Sequence, residues 1–223
     1  MLITEESYVV NMRRTRGGGT KVENREFFYR RLHSLLGVVP IGIFLIQHLV
    51  VNHFAVYGAD SFNKAAQFMH DLPFRLMLEI FIIFLPILFH AVLGVYIVFV
   101  AKNNTRRYGF FRNWMFFLQR ITGIITLVFI VWHLWETRVQ IGMGTEELDY
   151  SLMENILANP VMFWFYVIGV VSTTFHFANG LWSFFVTWGI TVTPRSQKIA
   201  TYATLLVFLA VTYIGVRALF AFV

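Results

Sequence analysis

Four histidines fall at positions 48, 90, 133 and 176, one on each of four successive apolar runs, at intervals of 42, 43 and 43 residues. Each run is as long as the roughly 20 residues a bilayer requires. An ionisable side chain at membrane depth is costly, so it faces the interior of a helix bundle and serves a purpose there. The run that carries the third, QRITGIITLVFIVWHLWETR (Gln119–Arg138), opens on an arginine and closes on Glu136 and Arg138. Only 13% of the residues are charged, against about a quarter in a soluble domain, and 57% are apolar. The expected fold is therefore an all-α membrane protein, a bundle of five transmembrane helices.

The five segments are expected at about Leu32–Tyr57, Arg75–Ala101, Trp114–Thr137, Pro160–Gly189 and Ile199–Val223. Residues 1–26 are polar, basic and Gly-rich, and are expected to be a disordered N-terminal segment ahead of one domain, 27–223. Their Arg/Gly-rich text matches what a purine-rich ribosome-binding sequence gives when translated in frame, with Val22 as the candidate start. No apolar core follows the basic N-terminus until about residue 35, so a cleavable signal sequence is not expected. The absence of cysteine rules out iron–sulfur clusters and thiolate zinc sites held by this chain.

The net charge of +6 does not point to nucleic acid. The basic residues gather before segment one (Arg13, Arg14, Arg16, Lys21, Arg25, Arg30, Arg31), after segment two (Lys102, Arg106, Arg107, Arg112) and after segment four (Arg195, Lys198), while the other connections are neutral or acidic. Basic loops stay cytoplasmic. The expected topology has the N-terminus cytoplasmic and the C-terminus outside.

With a rise of about 1.5 Å per residue, His48 stands roughly 25 Å above Arg31, and His133 roughly 28 Å above Trp114. His90 lies roughly 16 Å from the inner end of its segment, and His176 roughly 20 Å. The four sort into an outer pair, His48 with His133, and an inner pair, His90 with His176. Two imidazoles facing each other across a bundle suit the two axial positions of a haem iron. Gly37 and Thr122 each lie 11 residues before an outer histidine, on its helix face but at the inner level; Gly169 lies seven before His176, at the outer level. Gly94 and Gly180 each follow an inner histidine by four. Such small residues either make room for a macrocycle or let helices pack closely. Arg31 and Arg120 flank the inner level, where pairing with haem propionates and snorkelling to lipid headgroups are both open. His33, at the inner boundary, is placed for a propionate, a partner contact or the interface. His53 reads as interfacial and His70 as a loop residue.

NREFFYRRLHSLLGVVPIGIFLIQHLVVNHF (24–54), PFRLMLEIFIIFLPILFHAVLGVY (73–96), LQRITGIITLVFIVWHLWETR (118–138) and STTFHFANGLWSFFVTWGITVTPRSQ (172–197) resemble the di-haem cytochrome b membrane-anchor subunit of succinate:quinone oxidoreductases of the Bacillus type. The resemblance covers the chain from Asn24 onward. It implies a five-helix anchor for a flavoprotein and an iron–sulfur subunit on the cytoplasmic side, non-catalytic for succinate itself. Electrons would pass through two b haems to menaquinone; related fumarate reductases run the reaction in reverse. The family's haem ligands fall on His48, His90, His133 and His176, and its quinone chemistry lies near the outer haem. That makes Asp60, His70, Asp71 and Glu136 candidates for proton handling. Two rival readings are a nitrate-reductase-type di-haem anchor and a proton-coupled transporter with a histidine relay.

Overall fold

The computed structural model describes residues 21–223 except Asn103; the expectations for residues 1–20 lie outside that range. The described chain is helical, with five helices long and apolar enough to span a membrane: Arg25–Tyr57, Arg75–Val100, Phe111–Met143, Pro160–Thr187 and Pro194–Leu219. The helix that leads into the first span begins at Lys21, so residues 21–26 are helical rather than disordered.

Local sequence sets the helix ends. Asn159 Oδ1 accepts from the backbone N–H of Val161, and Pro160 begins the fourth span where its missing N–H is no loss. Thr193 and Ser196 form a reciprocal capping box ahead of the fifth, with Pro194 at its first position. Inside the second span, Pro86 cannot donate to the carbonyl one turn back, and the helix widens to a π-turn over Glu79–Phe84 just before it. A second π-turn, Trp135–Val139, begins two residues after His133.

The fourth span is the hub. It packs against the third and fifth and also touches the first. Phe163, Tyr166, Gly169, Val170, Ser172, Thr174 and Ala178 are buried along it. The second span lies at the periphery beside the first and buries little beyond Pro86. Its apolar side chains, such as Phe81 and Phe99, face outward. In water such a surface would aggregate; in a bilayer it meets lipid tails.

The connections expected to be loops contain short helices. Ala59–His70 and Tyr150–Leu157 are amphipathic and lie over the bundle's end. Phe62, Ala66, Met153 and Leu157 join Phe163 and Phe222 in the core there. Asn63 Oδ1 accepts from the N–H of Tyr150 at 2.8 Å, and the Tyr150 hydroxyl donates to the carbonyl of Ala221. This lid closes the end of the bundle that holds Glu136; Arg31 marks the opposite end.

Candidate functional site

Four different spans deliver the histidines, and they meet in two couples. The rings of His48 and His133 lie 5.8 Å apart between centroids, near the Glu136 end. Those of His90 and His176 lie 6.2 Å apart, near the Arg31 end. Imidazoles bind transition metals at about 2 Å, so two of them on opposite sides of one ion bring their ring centres to roughly 6 Å. Among the described residues, no three His, Cys, Asp or Glu side chains converge on one point to hold a bare ion. A couple is the set required by an iron already held in the four nitrogens of a porphyrin.

The partners of the other ring nitrogens support this. His90 Nδ1 lies 3.0 Å from the backbone carbonyl of His33, and His176 Nδ1 lies 3.0 Å from that of Gln119. A carbonyl only accepts, so each Nδ1 carries the proton and each Nε2 keeps its lone pair. His133 Nδ1 is 3.4 Å from the Tyr166 hydroxyl, which donates to Glu136 Oε2 at 3.0 Å. With that O–H committed to the carboxylate, Nδ1 of His133 is again the donor. Metal-binding histidines almost always donate their second N–H in this way. His48 Nε2 lies 3.4 Å from the Asn52 amide, a long contact to an amide that already donates to the His48 carbonyl at 2.8 Å.

Residues 101–216 match the family model described as succinate dehydrogenase/fumarate reductase transmembrane subunit. The succinate dehydrogenase cytochrome b558 subunit of Bacillus subtilis (strain 168) is 66% identical over 200 residues, which cover 90% of this chain and 98% of that protein. The chain belongs to this transmembrane-subunit family. It is thus a multi-pass membrane protein of the succinate dehydrogenase/fumarate reductase group.

In this family member, buried polar atoms without partners concentrate near the Arg31 end. They include Nε of Arg31, Nε and Nη2 of Arg120, Nδ1 of His33, Nε1 of Trp188 and Oγ1 of Thr191. One nitrogen of each guanidinium is engaged. Arg31 Nη2 donates to the Thr187 carbonyl at 2.9 Å, and Arg120 Nη1 to that of Ala101 at 2.7 Å. Arg31 also lies over the rings of Phe27 and Trp188. Buried donors left free in this number call for an acceptor, and an anionic one matches guanidinium best. Haem propionates have that chemistry, so the residues present fit the group. The sequence does not mark Trp188 and Thr191, because neither is charged.

The remaining sequence candidates separate. Gly37 lies directly against the imidazole of His90, and the His33 ring stacks on His90 with centroids 3.8 Å apart. Thr122 donates back to the carbonyl of Leu118, and it is its neighbour Gly123 that lies against His176. Gly169 is filled by Phe129. His53 Nδ1 reaches the carbonyl of Ile214 at 3.0 Å and ties the first span to the fifth. Asp60 pairs with Lys64 at 2.7 Å on the exposed helix of the lid. Asp71 Oδ1 accepts from Gln67 at 2.8 Å and lies 3.3 Å from His70, also in solvent. Hydrogen bonding by Gln67, then by His70, holds the Asp71 carboxyl below the usual carboxylate range. Glu136 alone of the four proton candidates connects to a histidine couple.

Glu79 and Arg138 carry no site motif in the sequence. Their side chains meet at 2.8 Å, with Arg75 3.6 Å away on the other carboxylate oxygen. The bridge joins the two π-turns. Its signal in the sequence was only that two opposite charges interrupt apolar runs.

Proposed function

We propose that this chain is the di-haem cytochrome b anchor of a succinate:menaquinone oxidoreductase, carrying electrons from an iron–sulfur subunit through two b haems to menaquinone. The observation that carries the reading is the meeting of four histidines from four spans as two couples, one toward each end of the bundle. Bound between each couple, haem iron would supply reversible one-electron transfer across the thickness of the membrane. His90 and His176 would hold the inner haem, and His48 and His133 the outer one. Arg31, Arg120, His33, Trp188 and Thr191 would bind propionates at the inner level.

The basic face formed by Arg25, Arg30, Arg31, Arg106, Arg107, Arg112, Arg195 and Lys198 would be cytoplasmic by the positive-inside rule. There it would receive the flavoprotein and iron–sulfur subunits. Quinone would react at the opposite end. Glu136 is the strongest proton-handling candidate there, because the Tyr166 hydroxyl links it to His133; Asp60, His70 and Asp71 are the solvent-side alternatives.

A haem-to-subunit ratio on the isolated complex tests the reading. Two b haems per chain, both visible in a reduced-minus-oxidised spectrum and reducible by succinate, are expected. A ratio near one overturns the two-haem assignment, and a complex without haem overturns the cytochrome.

A further inference from the structure

His90 and His176 occupy matching seats built from different helices. In each, Nδ1 donates to the carbonyl of a residue 57 positions earlier, His33 for one and Gln119 for the other, at 3.0 Å in both cases. Four residues after each accepting carbonyl stands a glycine, Gly37 or Gly123. A Cβ on Gly37 would come within 2.5 Å of His90 Cε1 and 2.9 Å of its Nδ1. On Gly123 it would come within 2.9 Å of His176 Cε1 and 3.2 Å of its Nδ1. Four residues after each histidine is a second glycine, Gly94 or Gly180, whose Cβ would lie 3.3 Å from the side chain of His33 or Gln119. The four positions of one seat recur 86 residues later in the other: 33 and 119, 37 and 123, 90 and 176, 94 and 180.

The helix geometry explains why glycine stands there. A helical carbonyl accepts from the N–H four residues on and keeps a second lone pair free. The Cα–Cβ bond of that later residue tilts toward the helix N-terminus, over the same carbonyl. Any side chain there would screen the lone pair from a neighbouring helix. Ordinary packing glycines look different. Gly42 is met by the Phe177 ring, Gly169 by Phe129, and Gly215 by Val170 and Leu49. Among the described glycines, only Gly37 and Gly123 face one of the four span histidines, and both face the inner couple.

We propose that Gly37 and Gly123 are positioning residues for the inner haem: their bare backbone lets the imidazoles of His90 and His176 reach a main-chain carbonyl, which fixes Nδ1 as the protonated nitrogen and leaves Nε2 for the iron. This rests on the di-haem reading above. The accepting carbonyls belong to His33 and Gln119, whose side chains differ. The His33 ring stacks on its ligand, whereas Gln119 Nε2 donates to the carbonyl of His176 at 2.9 Å. The orienting group is therefore the main chain, which explains how two different residues serve the same purpose.

The test uses the whole complex carrying Gly37→Ala or Gly123→Ala, with Gly109→Ala, whose Cβ would meet no atom within 4 Å, as the comparison. Low-temperature difference spectra and the electron paramagnetic resonance of the two ferric haems are recorded with haem content. Each seat variant should shift or lose the inner-haem signal, with haem retention weakened about 10–100-fold, and leave the outer signal unchanged. Wild-type complex with two haems beside seat variants with both signals unaltered overturns the proposal alone; wild-type complex without two haems overturns the reading beneath it.

A second measurement holds if an alanine variant fails to assemble. In His90→Gly or His176→Gly complexes grown with imidazole, imidazole should rebuild the inner-haem spectrum. 1-Methylimidazole, which lacks the N–H to donate, should do so at least tenfold less well. Equal restoration by the two compounds overturns the proposal.

Discussion

The Tyr166 hydroxyl donates to Glu136 across 3.0 Å while its oxygen faces Nδ1 of His133 at 3.4 Å, so a carboxylate acts on the His48–His133 couple through one buried phenol. Tyr166 is 2% exposed, which keeps water from competing. A hydrogen-bond acceptor backed by a carboxylate makes an imidazole a stronger donor to iron and favours the ferric state. Tyr166→Phe or Glu136→Gln removes that bias. On the proposed two-haem reading, the midpoint potential of the haem between His48 and His133 should rise by about 20–60 mV, corresponding to a net hydrogen bond of about 0.5–1.5 kcal/mol. Redox titration followed optically should find the inner haem unmoved. An equal shift of both haems would mean that general disturbance had been measured.

The Glu79–Arg138 bridge should hold the peripheral second span to the bundle. Glu79 has 18% of its side chain exposed and Arg138 37%, so the pair is neither buried nor fully solvated. Breaking a buried pair costs about 3–5 kcal/mol and an exposed one under about 1. Glu79→Gln should fall between, at about 1–2 kcal/mol, seen as earlier thermal unfolding of the detergent-solubilised complex. The exchange Glu79→Arg with Arg138→Glu should recover part of the loss. No recovery would show that the π-turns, rather than the charges, hold the spans together.

Asp71 should be ionised at every physiological pH. Its carboxyl is held below the usual range by Gln67 first and His70 second, and it lies in solvent. A depressed carboxyl favours the folded state above its ordinary pKa, and that contribution disappears as pH falls through the lowered value. Near neutrality Asp71 is therefore an anion or proton acceptor, not a donor. Asp71→Asn should change quinone reduction by the same factor at pH 6 and pH 8. Gln67→Ala should move the carboxylate's infrared titration back toward the ordinary range. A titration of Asp71 near neutrality in the wild type would return it to the list of proton donors.

Helical rise gives the heights of the four span histidines, and the rings that lie 5.8 and 6.2 Å apart are those that share a level, whereas the closer His33–His90 stack is not readable from rise. The five spans were legible from apolar length. Rotation about each helix axis was not, and the finer site depends on it. Thr122 drew notice by its spacing from His133 on the same helix, yet Gly123 is the residue turned toward His176. The helices Ala59–His70 and Tyr150–Leu157 read as loops because their apolar faces are shorter than a bilayer. They fold because those faces find Phe163 and Phe222. The Glu79–Arg138 contact joins residues 59 apart through two π-turns, which no regular period announces.

If the chain holds two haems as proposed, the unpaired donors near the Arg31 end should matter to only one of them. Arg31→Gln and Arg120→Gln remove buried charge without removing the ligands. Loss of a charge-assisted hydrogen bond costs about 1.5–3 kcal/mol, or roughly 10–150-fold in binding. Haem retention under detergent dilution should fall in that range for the inner haem, with the outer one retained. Trp188→Phe, which loses a neutral donor, should have the smaller effect. Retention of both haems at wild-type strength in both arginine variants would mean that these side chains serve lipid headgroups instead.

Orientation can be read directly, because the chain has no cysteine to remove first. Asn104 lies in the basic connection between the second and third spans, and Glu146 in the acidic one between the third and fourth; both are exposed. Basic loops are retained in the cytoplasm. A membrane-impermeant maleimide added to intact cells should therefore label Glu146→Cys at once and reach Asn104→Cys only after the membrane is opened. This pattern puts the His48–His133 couple and Glu136 on the outer side, where a quinone would exchange protons with the exterior, and leaves the basic face free for cytoplasmic subunits. The opposite pattern would turn the bundle over. The basic face could then no longer receive electrons from the cytoplasm, and the direction assigned to the two couples would have to be reversed.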